Sequence, residues 1–203
     1  PPSPTCGAGA LFILVETQET AMQRELVTPA DLSGTALAEL KDWLAITTSR
    51  EDAALTRLLN ASLETCNAFT RQVAIESTFE EIHDVSSGWQ LLGLCPVRAI
   101  TQVEAVATDG SRAPLATDQY LIDINAAATG RFRLVGVITA TRLAVRYEAG
   151  SSPDWASLNS SLRHGILRLA AHHFRAREAD IGDPLPPAAV AALWQPFRRL
   201  RLT

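Results

Sequence analysis

His172 and His173, with Glu178 downstream, are the residues whose types could hold a metal ion. Imidazoles and carboxylates are zinc ligands. Neighbouring side chains on a helix do not face each other, so two adjacent histidines seldom chelate together. A plain helix with His173 facing the core and His172 facing water accounts for the same pair. The thiols Cys6, Cys66 and Cys95 form no C-x-x-C pair. They are expected as reduced thiols in a cytosolic setting, not as a zinc site. Glu51, Asp52 and Glu64 could pair as acid and base. Glu51 and Asp52 also suit a helix start, where carboxylates meet the positive end of the helix dipole. Glu80-Glu81 with His83-Asp84 forms a local acidic cluster, expected at a solvated strand edge or loop. No phosphate-binding loop, dinucleotide glycine pattern or serine nucleophile elbow occurs. The expectation is no catalytic residue, no metal and no cofactor.

The arginines are the remaining chemistry. Arg163, Arg168, Arg175, Arg177, Arg198, Arg199 and Arg201 crowd the last part of a chain whose sole lysine is Lys41. Guanidinium groups pair with carboxylates or phosphates in a two-pronged geometry. The net charge of −4 argues against a chain built to hold nucleic acid and favours salt bridges at interfaces. A nucleic-acid surface made of the arginine helix and the arm stays open as the alternative.

Those arginines end in LPPAAVAALWQPFRRLRLT. After Pro196 the arm interleaves Arg198, Arg199 and Arg201 with Phe197, Leu200 and Leu202. An arm both apolar and cationic is costly to leave in water, so it is expected to dock on its own domain or on a partner.

Several elements must position these groups. Leu37, Leu40, Trp43 and Leu44 share one face of a helix expected over 36–46. Thr48 and Glu51 have capping-box spacing for a restart. Leu55, Leu58, Leu59, Ser62, Leu63, Cys66 and Phe69 then recur at helical spacing, predicting a long amphipathic helix over 49–70. From Val73 to residue 149 the pattern is β-rich, with a turn at Asp109-Gly110 and strands around 99–107, 120–124, 131–137 and 141–147. Pro153 opens a second long helix, 153–178, with Trp155, Leu158, Leu162, Ile166 and Leu169 in a stripe and Phe174 near its end. Residues 182–203 are a linker, a short helix over 188–194 and the arm.

The expected class is α+β: a helical bundle core of two N-terminal helices and one long C-terminal helix, carrying an inserted small antiparallel sheet and a C-terminal arm. The core spans 31–181. Residues 1–30 read as a flexible N-terminal arm or leader. They lack a basic region ahead of ALFILV, which argues against a signal peptide, and Met22 is the only methionine. No apolar run is long enough to span a membrane.

In this order the chain resembles the head-to-tail connector (adaptor) family of long-tailed phages and gene transfer agents. The matching stretches are LKDWLAITTSREDAALTRLLNASLETCNAFTRQ (Leu40 to Gln72), CPVRAITQVEAV (Cys95 to Val106) and DQYLID (Asp118 to Asp123). LAVRYEAG (Leu143 to Gly150), the helix ending HHFRARE and the final LPPAAVAALWQPFRRLRL complete the set. The resemblance implies a structural virion protein rather than an enzyme. It would form a homo-oligomeric ring of twelve copies between the capsid portal and the head-closure or tail protein. Double-stranded DNA would pass through its channel without specific binding. It implies assembly in the bacterial cytoplasm, a place at the head–tail junction of a particle and no membrane partner. It makes Trp194, Phe197, Arg198, Arg199, Leu200, Arg201 and Leu202 a portal-binding arm. Leu55, Leu58, Leu59, Leu63, Phe69, Leu158, Leu162, Ile166, Leu169 and Phe174 become core or subunit-interface positions.

Overall fold

The periodic stripe at Leu55 forms the longest helix, α2, Asp52–Thr70. The computed structural model describes residues 23–136, 138–176 and 186–199. Leu55, Leu59, Leu63 and Cys66 are buried along α2, and Leu58 and Phe69 pack at the margin of the same cluster. Helix α1, Thr35–Leu44, buries Ala36, Leu37 and Leu40. Trp43 was expected on that buried face but is exposed, set edge-on to His164 at 5.4 Å. The two helices are joined at their ends by Lys41, whose ammonium lies 2.7 Å from the Asp52 carboxylate. The expected capping box is not the cap used: Glu51 takes the cap position, its side chain makes no capping bond to the helix start, and Asp52 donates its N–H to the Ser49 carbonyl.

The second long helix starts later than its apolar stripe. Helix α3 runs Ser160–Arg175, not from Pro153. Trp155 and Leu158 are buried, but in the turn that precedes the helix. Asn159 holds an extended ψ of 134° and its side chain accepts the Ser161 N–H, so the helix is capped there. Leu162, Ile166 and Leu169 face α2, and α4, Ala188–Trp194, closes the group.

Eight strands form two antiparallel sheets among the described residues. The first is ordered β1 (Gln23–Thr28), β2 (Ser77–Asp84), β8 (Arg142–Ala149), β4 (Val97–Val106), β5 (Arg112–Pro114). The second is β3 (Gln90–Leu91), β7 (Gly130–Leu134), β6 (Tyr120–Ile124). Leu143, Val145 and Tyr147 of β8 meet Phe132 and Leu134 of β7 and Leu92 in a second apolar core, separate from the helical one. Backbone bonds from Val73 to Cys95 and from Glu76 to Ser152 tie the two halves together.

The expected helical bundle with one small inserted sheet is therefore corrected. Strand content rivals helix content, and the sheets own a core of their own. The strands are short and pair across long sequence separations, so local periodicity undercounted them. The N-terminal assignment is corrected as well, because residues 23–28 of the expected arm form β1, registered from Gln23 against Ile82.

Candidate functional site

The C-terminal segment folds onto its own subunit as far as it is described. Trp194 is fully buried, at 0% exposure, in the groove between α2 and α3. Its indole N–H donates to the Leu162 carbonyl at 3.3 Å, and its ring stands 5.9 Å from Phe69. Gly165 makes room for it, since a Cβ there would overlap the indole nitrogen. A 3-10 turn, Gln195–Phe197, follows. Phe197 packs at the margin of the helical core, and its carbonyl accepts the Gln72 side-chain N–H. Arg198 lies over the Phe69 ring at 5.7 Å. Arg199 donates its backbone N–H to the Thr70 carbonyl at 2.9 Å and its guanidinium to the Ala127 carbonyl. Both arginines thus sit at the negative, carbonyl end of α2. Leu200, Arg201, Leu202, Arg177 and Glu178 lie outside the described residues.

Beside this docking site is an open pocket of about 510 Å³. Gln72 belongs to both, and Arg24, Glu64, Asn67, Arg71, Phe79, Leu94 and Cys95 are among the other lining residues. Cys95 is half-buried and carries no disulfide. Cys66 is buried, and burial pushes its thiol up to about 12. Among the described residues no group of three or more His, Cys, Asp or Glu converges as a metal site would. His172 and His173 stand 6.0 Å apart, and burial followed by the neighbouring His172 lowers the pKa of His173.

The acidic cluster expected at a solvated edge is the most buried charge in the sheets. Glu81 is fully buried. Its Oε1 accepts from Arg24 Nε at 2.7 Å and from the Tyr147 hydroxyl at 2.6 Å. Its Oε2 accepts the Gly93 N–H at 3.1 Å and lies 3.2 Å from His83 Nε2. Burial pushes its carboxyl up, but the bonds from His83, Tyr147, Arg24 and Gly93 outweigh that and hold it at about 2. Burial, then the Glu81 charge, raises the Tyr147 phenol. On the opposite face of β2, Glu80 joins Arg112 at 2.7 Å and Arg146 at 3.1 Å. These groups link four strands and a loop. Phe79, Glu81 and His83 alternate on one face of β2, and that period of two was the available signal.

Among the described residues, several of the C-terminal arginines are engaged within the subunit. Arg163 lies 3.8 Å from Glu39, Arg198 covers Phe69 and Arg199 caps α2. On the small sheet, Trp89 is exposed with Arg131 at 4.7 Å and Arg133 at 5.3 Å from its ring centre. Arg131 is also bound to Asp123 at 2.7 Å.

No protein-family model matches this chain, and no curated protein matches it. Solved structures do. A chain from the neck of an empty gene transfer agent particle, computed with C6 symmetry, aligns with a TM-score of 0.72 at 24% identity, covering 90% of this chain and 98% of that one. The fold is one found in gene transfer agent necks. A chain from the neck of a native particle, computed with C12 symmetry, aligns at 0.69 and 24% identity with the same coverage. One from the virion of a native gene transfer agent particle aligns at 0.68 and 23% identity, again over 90% and 98%. In this neck-chain fold Leu55, Leu59, Leu63, Leu158, Leu162, Ile166 and Leu169 are buried within the subunit. Leu58, Phe69 and Phe174 sit at its margin. Trp194, expected in an arm reaching out to a partner, is a core residue of its own chain. No helix among the described residues is long and apolar enough to cross a membrane.

Proposed function

We propose that this chain is a structural component of the neck of a phage-like particle. It forms a ring adaptor between the capsid portal and the head-closure or tail protein, extends the DNA channel and carries out no catalysis. The fold it shares with gene transfer agent neck chains, over nearly their whole length, is the observation that carries this reading. The ring is of identical copies, twelve by the resemblance, and assembles in the bacterial cytoplasm. A head-to-tail contact between copies closes into a ring when its rotation closes. A subunit charge of −4 suits a wall past which phosphates slide, because acidic surface repels them.

The portal contact is assigned to the end of the chain, from Arg198 onward. Trp194 and Phe197 set its exit point by anchoring it at the carbonyl end of α2. The tip, Leu200 to Thr203, offers two leucines and Arg201 to the portal. Burial of their apolar surface, at roughly 25 cal/mol per Å², would stabilise such a contact. Truncation after Arg199 is expected to leave the melting temperature within about 2 °C, since it keeps Trp194, Phe197 and the Arg199 N–H bond to Thr70. The same truncation is expected to reduce attachment of tails to DNA-filled heads at least tenfold, counted by electron microscopy. Wild-type numbers of tailed particles would overturn the assignment of the tip.

A further inference from the structure

The sandwich has four outer strands, and they are unequal. Strand β5 is three residues long and contains Pro114, and β3 is two residues long. Proline and shortness both blunt an edge against pairing. Strand β1 has six residues and β6 has five, neither with proline. Among the described residues each therefore presents a row of backbone N–H and C=O groups along one side. Each also carries exposed apolar side chains, Leu26 at 46% and Ile122 at 48% exposure among them. Among the described residues, every exposed large apolar side chain except Trp43 lies on β1 or on or beside the three-stranded sheet.

The two open edges look in different directions. Strand β3 sits over the β2 side: Gln90 donates to the Asp84 carbonyl at 2.9 Å, and Gly93 to Glu81. Strand β1 lies just beyond β2. At the far end of the small sheet, β6 lies against β4.

We infer that β1 of one copy pairs with β6 of the next, a strand-to-strand contact that joins the five-stranded sheet of one subunit to the three-stranded sheet of its neighbour. The occupant of each edge is a second copy of this chain, because the edges match in length, both carry exposed apolar side chains and they lie on opposite sides of the subunit. Two different patches on opposite sides give a head-to-tail contact, the kind that propagates around a ring rather than stopping at a dimer. This rests on the ring role proposed above and names the surface that builds it.

The test is cross-linking in assembled particles. Leu26→Cys and Ile122→Cys are combined in one chain, with Cys6→Ser and Cys95→Ser so that the introduced thiols are the ones that react. A short bis-maleimide is added and the particles are run on a denaturing gel and imaged. A ladder of covalent multimers at successive multiples of the chain mass is expected from the double variant, and none from either single cysteine. Val27→Cys with Ile124→Cys serves as the second pair should the first hinder assembly. A ring visible in the images with no ladder from either pair overturns the β1–β6 contact and leaves the ring role standing. Particles with no copy of the chain at the neck overturn both.

Discussion

Glu81→Ala is expected to destabilise the fold by about 3–5 kcal/mol, the cost of removing one partner from a buried charged pair. The side chain is fully buried, and its removal takes the acceptor from the Tyr147 hydroxyl and the Gly93 N–H and one bond from Arg24. Glu81→Gln keeps an acceptor oxygen in place, so its cost is expected to be smaller, about 1–3 kcal/mol. The charge also gives a pH signature. A carboxyl held at about 2 in the folded chain, against roughly 4.3 when unfolded, stabilises the fold fully above the unfolded value. That stabilisation drains away as pH falls toward 2. The gap between the wild-type chain and Glu81→Gln in urea unfolding should thus be widest near neutrality and shrink below about pH 4. An Ala variant within about 0.5 kcal/mol of wild type would show that the network carries no stability.

Trp194→Ala is expected to cost a further 3–5 kcal/mol or so, the usual range for emptying a buried aromatic site. The indole fills the groove between α2 and α3, touches Phe69 and satisfies the Leu162 carbonyl. Deleting Trp194 to Thr203 therefore removes a core residue as well as an arm, and failure to attach after that deletion would say little about the portal. Gly165→Ala probes the same packing from the other side. A methyl group there forces the indole out of place, and overpacking of this kind costs about 1–3 kcal/mol. Chemical denaturation of both variants beside the truncation after Arg199 separates anchor from tip. Trp194→Ala at wild-type stability would contradict the anchoring role.

The helical half was legible because its signal is local. Leu55 to Phe69 repeat at helical spacing within one uninterrupted element, and the structure buries that stripe. The start of α3 was not legible, because Trp155 and Leu158 keep helical spacing while Asn159 breaks the helix between them and Leu162. Strand β1 left no periodic mark: it is an edge strand exposed along its whole length, so its side chains need not alternate. Glu81 looked like solvated charge because its partners are remote. Arg24 is 57 residues away and Tyr147 is 66 away, and only the sheet brings them together. Where the segment around Trp194 docks was not legible for a related reason. Apolar composition near a terminus shows that something covers Trp194, but not whether the cover is a partner or the chain's own helices.

The central claim is a place: a ring of this chain at the head–tail junction. It is tested most directly by imaging assembled particles that carry a density-tagged copy of the chain, averaged at the neck. The account predicts tag density repeating around a closed ring between capsid and tail. Tag density on the capsid shell or along the tail, or particles that contain none of the chain, would contradict it.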